Sequence, residues 1–151
     1  MTIYIPRLRQ LPLEQLSLVG AGARFSVSEA DGSIATLAYE WEDLKVVVNV
    51  LSTPELARHL EGLVAWVRSV ARAQGRPPEE PLIQRIRSTT LVLGFVVDGT
   101  TDRDVWHGRV QDMIAMICSN TGALLFWEGA VFDENCQQLL PATNEASLAF
   151  G

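Results

Sequence analysis

Lysine is almost missing from this sequence, cysteine and histidine are scarce, and no long apolar run occurs. Lys45 is the single lysine beside eleven arginines, a bias for which the sequence offers no functional reading. Cys118 and Cys136 are too few to form a disulfide framework, and neither sits in a paired-cysteine metal motif. Both are expected reduced. No apolar stretch approaches the ~18 residues of a spanning helix. Residues 1 to 9 lack the basic start, apolar core and small-residue cleavage site of a secretion signal. The chain is therefore expected to be cytoplasmic, with no membrane partner. A clustered cationic face is missing too. Net charge is −6, distributed as −2 over residues 1 to 54, +2 over 55 to 87 and −6 over 88 to 151. Phosphate backbones demand the opposite pattern, so nucleic acid is excluded as the main partner.

What is present suits one globular domain spanning residues 1–151. A hydrophobic fraction of 48% against 20% charged argues against general disorder. The clearest stretch runs from Ser88 to Cys118. Thr89 to Val97 is rich in β-branched residues and apolar on both alternating faces, as a strand covered on both sides must be. Asp98-Gly99-Thr100-Thr101 then turns the chain. Thr101 and Asp104 have capping-box spacing, and Asp102 adds favourable charge at a helix start. Trp106, Val110, Met113, Ile114 and Ile117 follow as the apolar stripe of a long helix, which Asn120-Thr121-Gly122 ends.

Ahead of this stretch, Ile3 to Ile5 reads as a short extended piece and Pro12 to Val19 as one or two helical turns, within a weakly structured segment 1–22. Phe25 and Val27, then Ile34, Leu37 and Tyr39, flank the Asp31-Gly32 turn of a hairpin. Lys45 to Leu51 supplies a third strand of this meander. Pro54 and Glu55 start a helix with Leu56, Leu60, Leu63, Val64, Val67 and Ala71 on one face, stopped by Gly75 and Pro77-Pro78. Leu82, Ile83 and Ile86 suggest a brief further turn. Ala123 to Trp127 and Ala130 to Asp133 form a second hairpin around Glu128-Gly129, and residues 141–151 read as a frayed tail. The expectation is an α+β two-layer sandwich. Its sheet is mixed, an antiparallel meander in the first half and parallel crossovers in the second, with both long helices mainly on one face. Leu93, Phe95 and Val97 then share one strand face, and Leu63, Val67, Val110 and Ile117 pack into one core.

Chemistry has few places to sit. The end of a central strand facing a helix N-terminus is where open sheets bind ligands, which makes Asp98, Thr100, Thr101 and Asp102 candidate ligand-binding residues. Asp98, Asp102 and Asp104 could offer oxygens to a divalent metal, but caps and a turn account for the same residues and the spacing matches no calcium loop. His107 and Cys118 lie eleven residues apart on one helix, roughly 16 Å along its axis, and cannot form a dyad. Neither catalytic residue, metal site nor cofactor follows from the pattern. Trp66 is the remaining feature. It lies about 100° from the centre of its helix stripe, on a flank with His59, Gly62 and Ala73, and an aromatic among small residues can anchor an interface.

Three functional readings follow. The first is a non-catalytic binding or interaction module acting as a homodimer through the Trp66 flank, its partner being itself or another protein. The second is an enzyme or ligand-binding domain using the Asp98 to Asp104 loop, with a divalent metal. The third is an acidic chaperone or immunity-type protein of bacterial origin, suggested by size and charge.

Overall fold

A computed structural model describes residues 1–6, 13–51, 54–98 and 103–141, with backbone alone at 13 and 103–107. Its elements, in chain order, are β1 (Thr2–Pro6), α1 (Leu13–Val19), β2 (Arg24–Ala30), β3 (Ser33–Glu40), β4 (Lys45–Leu51), α2 (Leu56–Ala73), α3 (Glu80–Arg87), β5 (Thr89–Asp98), α4 (Arg103–Thr121), β6 (Leu124–Trp127), β7 (Ala130–Phe132) and β8 (Gln138–Leu140). The strands join one eight-stranded sheet in the order β2-β3-β4-β5-β1-β6-β7-β8. The class is α+β, and every ladder in the sheet is antiparallel.

That finding overturns the mixed sheet with parallel crossovers. Two features of the chain path explain the difference. Between β4 and β5 the chain runs along α2 and turns at Gly75, whose φ of 65° suits glycine. It continues through α3, and this second helix brings it back to the end of β4 that it left, so β4 and β5 pair antiparallel. Between β5 and β6 the described residues form a single helix, α4, and those two strands do run parallel, as a single-helix crossover requires. They are not neighbours, however. β1 lies between them, antiparallel to both, with Ile3 opposite Leu93 on one side and Leu125 on the other. The short extended piece at the start of the sequence is a buried inner strand.

β1 also shows how the core divides. Ile3 and Ile5 pack with α1 and α4, while Tyr4 between them packs with α2 and α3. The same alternation separates Leu93 and Phe95 from Val92, and Leu125 from Leu124, because successive strand side chains point to opposite faces. The molecule thus has three layers, helices on both faces of the sheet, and the two-layer arrangement is corrected. Leu63 and Val67 of α2 lie in one core, Val110 and Ile117 of α4 in the other. A sheet covered on both faces turns inner strands into continuous apolar runs, and β5 is such a run from Leu91 to Phe95, whereas Val96, on the α2 and α3 side, is 53% exposed.

The helices follow their sequence patterns closely. The buried residues of α2 are Leu56, Leu60, Leu63, Val64, Val67 and Ala71, one stripe at helical spacing. The helix begins after Pro54 and Glu55, and its N-cap, Glu55, makes no side-chain cap hydrogen bond. α3 is short but fully anchored: Leu82, Ile83 and Ile86 are buried. Arg85 Nη2 donates to Gly122 O at 3.2 Å and to Glu134 Oε2 at 2.8 Å, tying α3 to the end of α4 and the β7–β8 loop. Beyond β7, Gln138–Leu140 forms an edge strand on β7, with Leu140 buried. The expected fraying of 142–151 lies outside the described residues.

Candidate functional site

The flank of α2 facing β1 and β6 forms an open groove of about 730 Å³. Glu55, Arg58, His59, Gly62 and Trp66 line it from the helix, at the spacings that stack residues along one helical flank. Tyr4, Phe126 and Leu51 line it from the sheet, and Leu63 reaches it from the buried stripe. Register sets the sheet side, since Tyr4 and Phe126 stand on adjacent strands and both side chains point toward α2.

Trp66 is half-buried and meets the ring of Phe126 edge-on, at 5.2 Å and 90° between planes, the arrangement aromatic quadrupoles favour. Tyr4, only 4% exposed, shares a hydrogen bond of 3.0 Å between its Oη and Nε2 of the exposed His59. The two rings stack with centroids 5.7 Å apart. Burial pushes the Tyr4 phenol up to about 12, because an apolar surround disfavours the phenolate. At neutral pH it keeps its proton. The pair therefore offers hydrogen bonding and a flat aromatic surface, not an activated nucleophile.

Gly62 is the gap in the helix wall. A Cβ added there would meet nothing within 4 Å, so neither packing nor backbone conformation demands glycine. Glycine in a helix interior costs roughly 0.5–1 kcal/mol relative to alanine. Its effect is to leave the backbone of α2 accessible along the groove.

The candidates read from sequence fall in different places. His59, Gly62 and Trp66 come together in the groove, while Ala73 is exposed near the end of α2 and does not line it. The flank is concave and Trp66 is partly covered by the chain's own β6. Of the loop candidates, Thr100, Thr101 and Asp102 lie outside the described residues, as does the side chain of Asp104. Asp98 is exposed at the end of β5, opposite Lys45. It belongs to a row of alternating charge, Arg24, Glu40, Lys45 and Asp98, across four strands. Within that row Glu40 pairs with Arg24 and with Lys45 at 3.1 Å. Among the described residues no three His, Cys, Asp or Glu side chains converge to hold a metal. The side chain of His107 is not described. Cys118 is buried and its thiol is pushed up to about 12, mainly by burial and further by Cys136 and Glu134, which keeps it a thiol at neutral pH.

Tyr4, Leu51 and Phe126 were not marked by the sequence as site residues. Each reads as a core residue of a strand, and only the placement of β1 beside β6 brings Tyr4 and Phe126 to the same groove. Comparison with protein-family models, curated proteins and solved structures finds no match. Among the described residues no helix is long and apolar enough to cross a membrane.

Proposed function

We propose that this protein is a non-catalytic binding module whose α2 groove receives a short segment of a partner protein bearing an aromatic or branched apolar side chain. The observation that carries this reading is the glycine gap at Gly62 between two aromatic walls, Tyr4 with His59 on one side and Trp66 with Phe126 on the other. An apolar side chain entering there meets aromatic faces and a helix backbone with no Cβ in the way. Arg58 and Glu55 at the rim supply charges of both signs to orient the segment. The groove is open along its length, which favours a peptide over an enclosed metabolite. Its Tyr4–His59 pair is within hydrogen-bond reach, but burial holds the phenol protonated, which favours recognition over an activated nucleophile.

The test is selection from a library of displayed twelve-residue peptides, followed by isothermal titration of the enriched sequences. Selected peptides are expected to carry an aromatic or branched apolar residue. They should lose at least about tenfold in affinity, about 1.4 kcal/mol, against Gly62→Leu, which fills the gap while retaining a good helix former. Enrichment of no sequence, or binding indifferent to both Gly62→Leu and Trp66→Ala, counts against the reading.

A further inference from the structure

The two edges of the sheet differ in kind. β8 has three residues and is followed directly by Pro141, and a short strand ending in proline gives little for another chain to pair with. β2 has seven residues, Arg24–Ala30, with no proline. It ends the strand order on its side, so one row of its backbone donors and acceptors faces no other described strand. The irregularity in its ladder lies between Ser28 and Glu29, where the partner steps from Thr36 to Ile34. The extra residue, Ala35, is therefore on β3, and the run of β2 itself is unbroken.

Its side chains add an apolar component. Phe25 and Val27 point to the α1 and α4 side, opposite Tyr39 and Leu37. Phe25 is half-buried with its ring 5.1 Å from that of Tyr39, while Val27 is 37% exposed at the rim of the same core. Arg24 is held within the chain by Glu40, so the outer edge carries little uncompensated charge before Glu29. Natural edges are protected by lysine, proline or inward charge, and β2 has none of these between Phe25 and Ser28.

We propose that β2 pairs antiparallel with β2 of a second copy of this chain, with Ser26 on the two-fold axis, joining two sheets into one. The occupant and the register follow from self-complementarity. With Ser26 on the axis, Phe25 of each copy lies opposite Val27 of the other, a stabilising aromatic and β-branched pair made twice. Arg24 then lies opposite Ser28, and no like charges meet. Moving the axis to Phe25 leaves only Arg24 to Ser26 of the strand paired, while moving it to Val27 sets Phe25 against Glu29 and moving it to Ser28 sets Val27 against Glu29, each placing a carboxylate opposite an apolar side chain. This surface is separate from the α2 groove, so the dimer and the peptide site stand or fall independently.

Sedimentation of the full chain decides between the outcomes. The parent is expected to be a dimer, and Val27→Lys, which places a lysine on the edge, should weaken association at least about tenfold with an unchanged circular dichroism spectrum. A second arm uses Ser26→Cys in a Cys136→Ser background. Opposed residues on an antiparallel pair lie within disulfide reach, so oxidation should cross-link two chains through Cys at 26 and not in a matching Ser28→Cys variant. A monomeric parent overturns the proposal, as it would if the edge served a strand of a different protein. A dimer untouched by Val27→Lys overturns it as well, and cross-linking through position 28 in place of 26 overturns the register.

Discussion

Two glycines illustrate how the same substitution changes sign with its surroundings. Gly20 lies against Tyr39, and an added Cβ would come within 2.5 Å of Tyr39 Cδ1. Tyr39 cannot move aside cheaply, being 1% exposed with its hydroxyl donating to Leu16 O at 2.6 Å. Gly20→Ala is expected to destabilise by about 1–3 kcal/mol through overpacking, whereas Gly62→Ala should stabilise by roughly 0.5–1 kcal/mol. Urea melts of the two variants beside the parent check both signs. A neutral Gly20→Ala would mean that the ring has room to shift, and a destabilising Gly62→Ala that the helix wall has no room for a methyl group there. The sequence marks both positions as glycine and says nothing of this contrast, because the contact to Tyr39 spans β3 and the end of α1.

At the scale of elements, the stripe of α2 is legible residue by residue and that of α4 from Val110 to Ile117, the side chain of Trp106 lying outside the described residues, since a period of 3.6 states which side is inward. It does not state which face of a sheet that side meets. The sheet separates the two cores, so Val67→Ala and Ile117→Ala, each expected to cost roughly 1 to 4 kcal/mol, should be additive within about 0.5 kcal/mol when combined. A double variant departing from the sum by more than 1 kcal/mol, measured by chemical denaturation, would point to a single shared core. α3 is the element most underread from sequence. Eight residues with three buried side chains look like a passing turn, yet α3 reverses the path of α2 and so fixes the antiparallel pairing of β4 with β5. Its weight comes from direction, which composition does not encode.

For the molecule as a whole, three buried acidic groups among the described residues are expected to lower stability at alkaline pH. Tyr4 and Tyr39 are each pushed up to about 12 from the usual 10.0, and Cys118 to about 12 from 9.0, chiefly by desolvation. In each case the folded chain holds a proton that the unfolded chain releases first, so stability falls as pH rises. The contribution is whole below about pH 9, where the unfolded thiol begins to ionise, and is lost progressively toward pH 12. The urea midpoint should be steady from pH 7 to 9 and then decline, and Tyr4→Phe should make that decline shallower by removing one of the three protons. An equally steep decline in Tyr4→Phe would remove Tyr4 from this account. The carboxylates point the other way at acid pH: Glu40, Asp43 and Glu61 are lowered, each first by a hydrogen bond from an arginine, but Asp43 and Glu61 are exposed and Glu40 is only half-buried at the surface, where such pairs contribute little.

Sequence alone determined the order and kind of most elements, the inward stripe of α2, the two tight hairpins and the partnership of Leu93 with Phe95 on one strand face. Those features depend on spacing and local turn chemistry, which a few adjacent residues carry in full. Tertiary structure decided everything that depends on who stands beside whom. The insertion of β1 between β5 and β6 converted a parallel crossover into an all-antiparallel sheet, and the sidedness of the helices made three layers from two stripes. The groove has the same origin. Trp66 with His59 and Gly62 could be picked out as a flank, but Tyr4 and Phe126 lie over a hundred residues apart in the chain and meet only because antiparallel backbone hydrogen bonds hold β1 against β6. Local periodicity carries no information about that pairing, which the burial of both sheet faces selects.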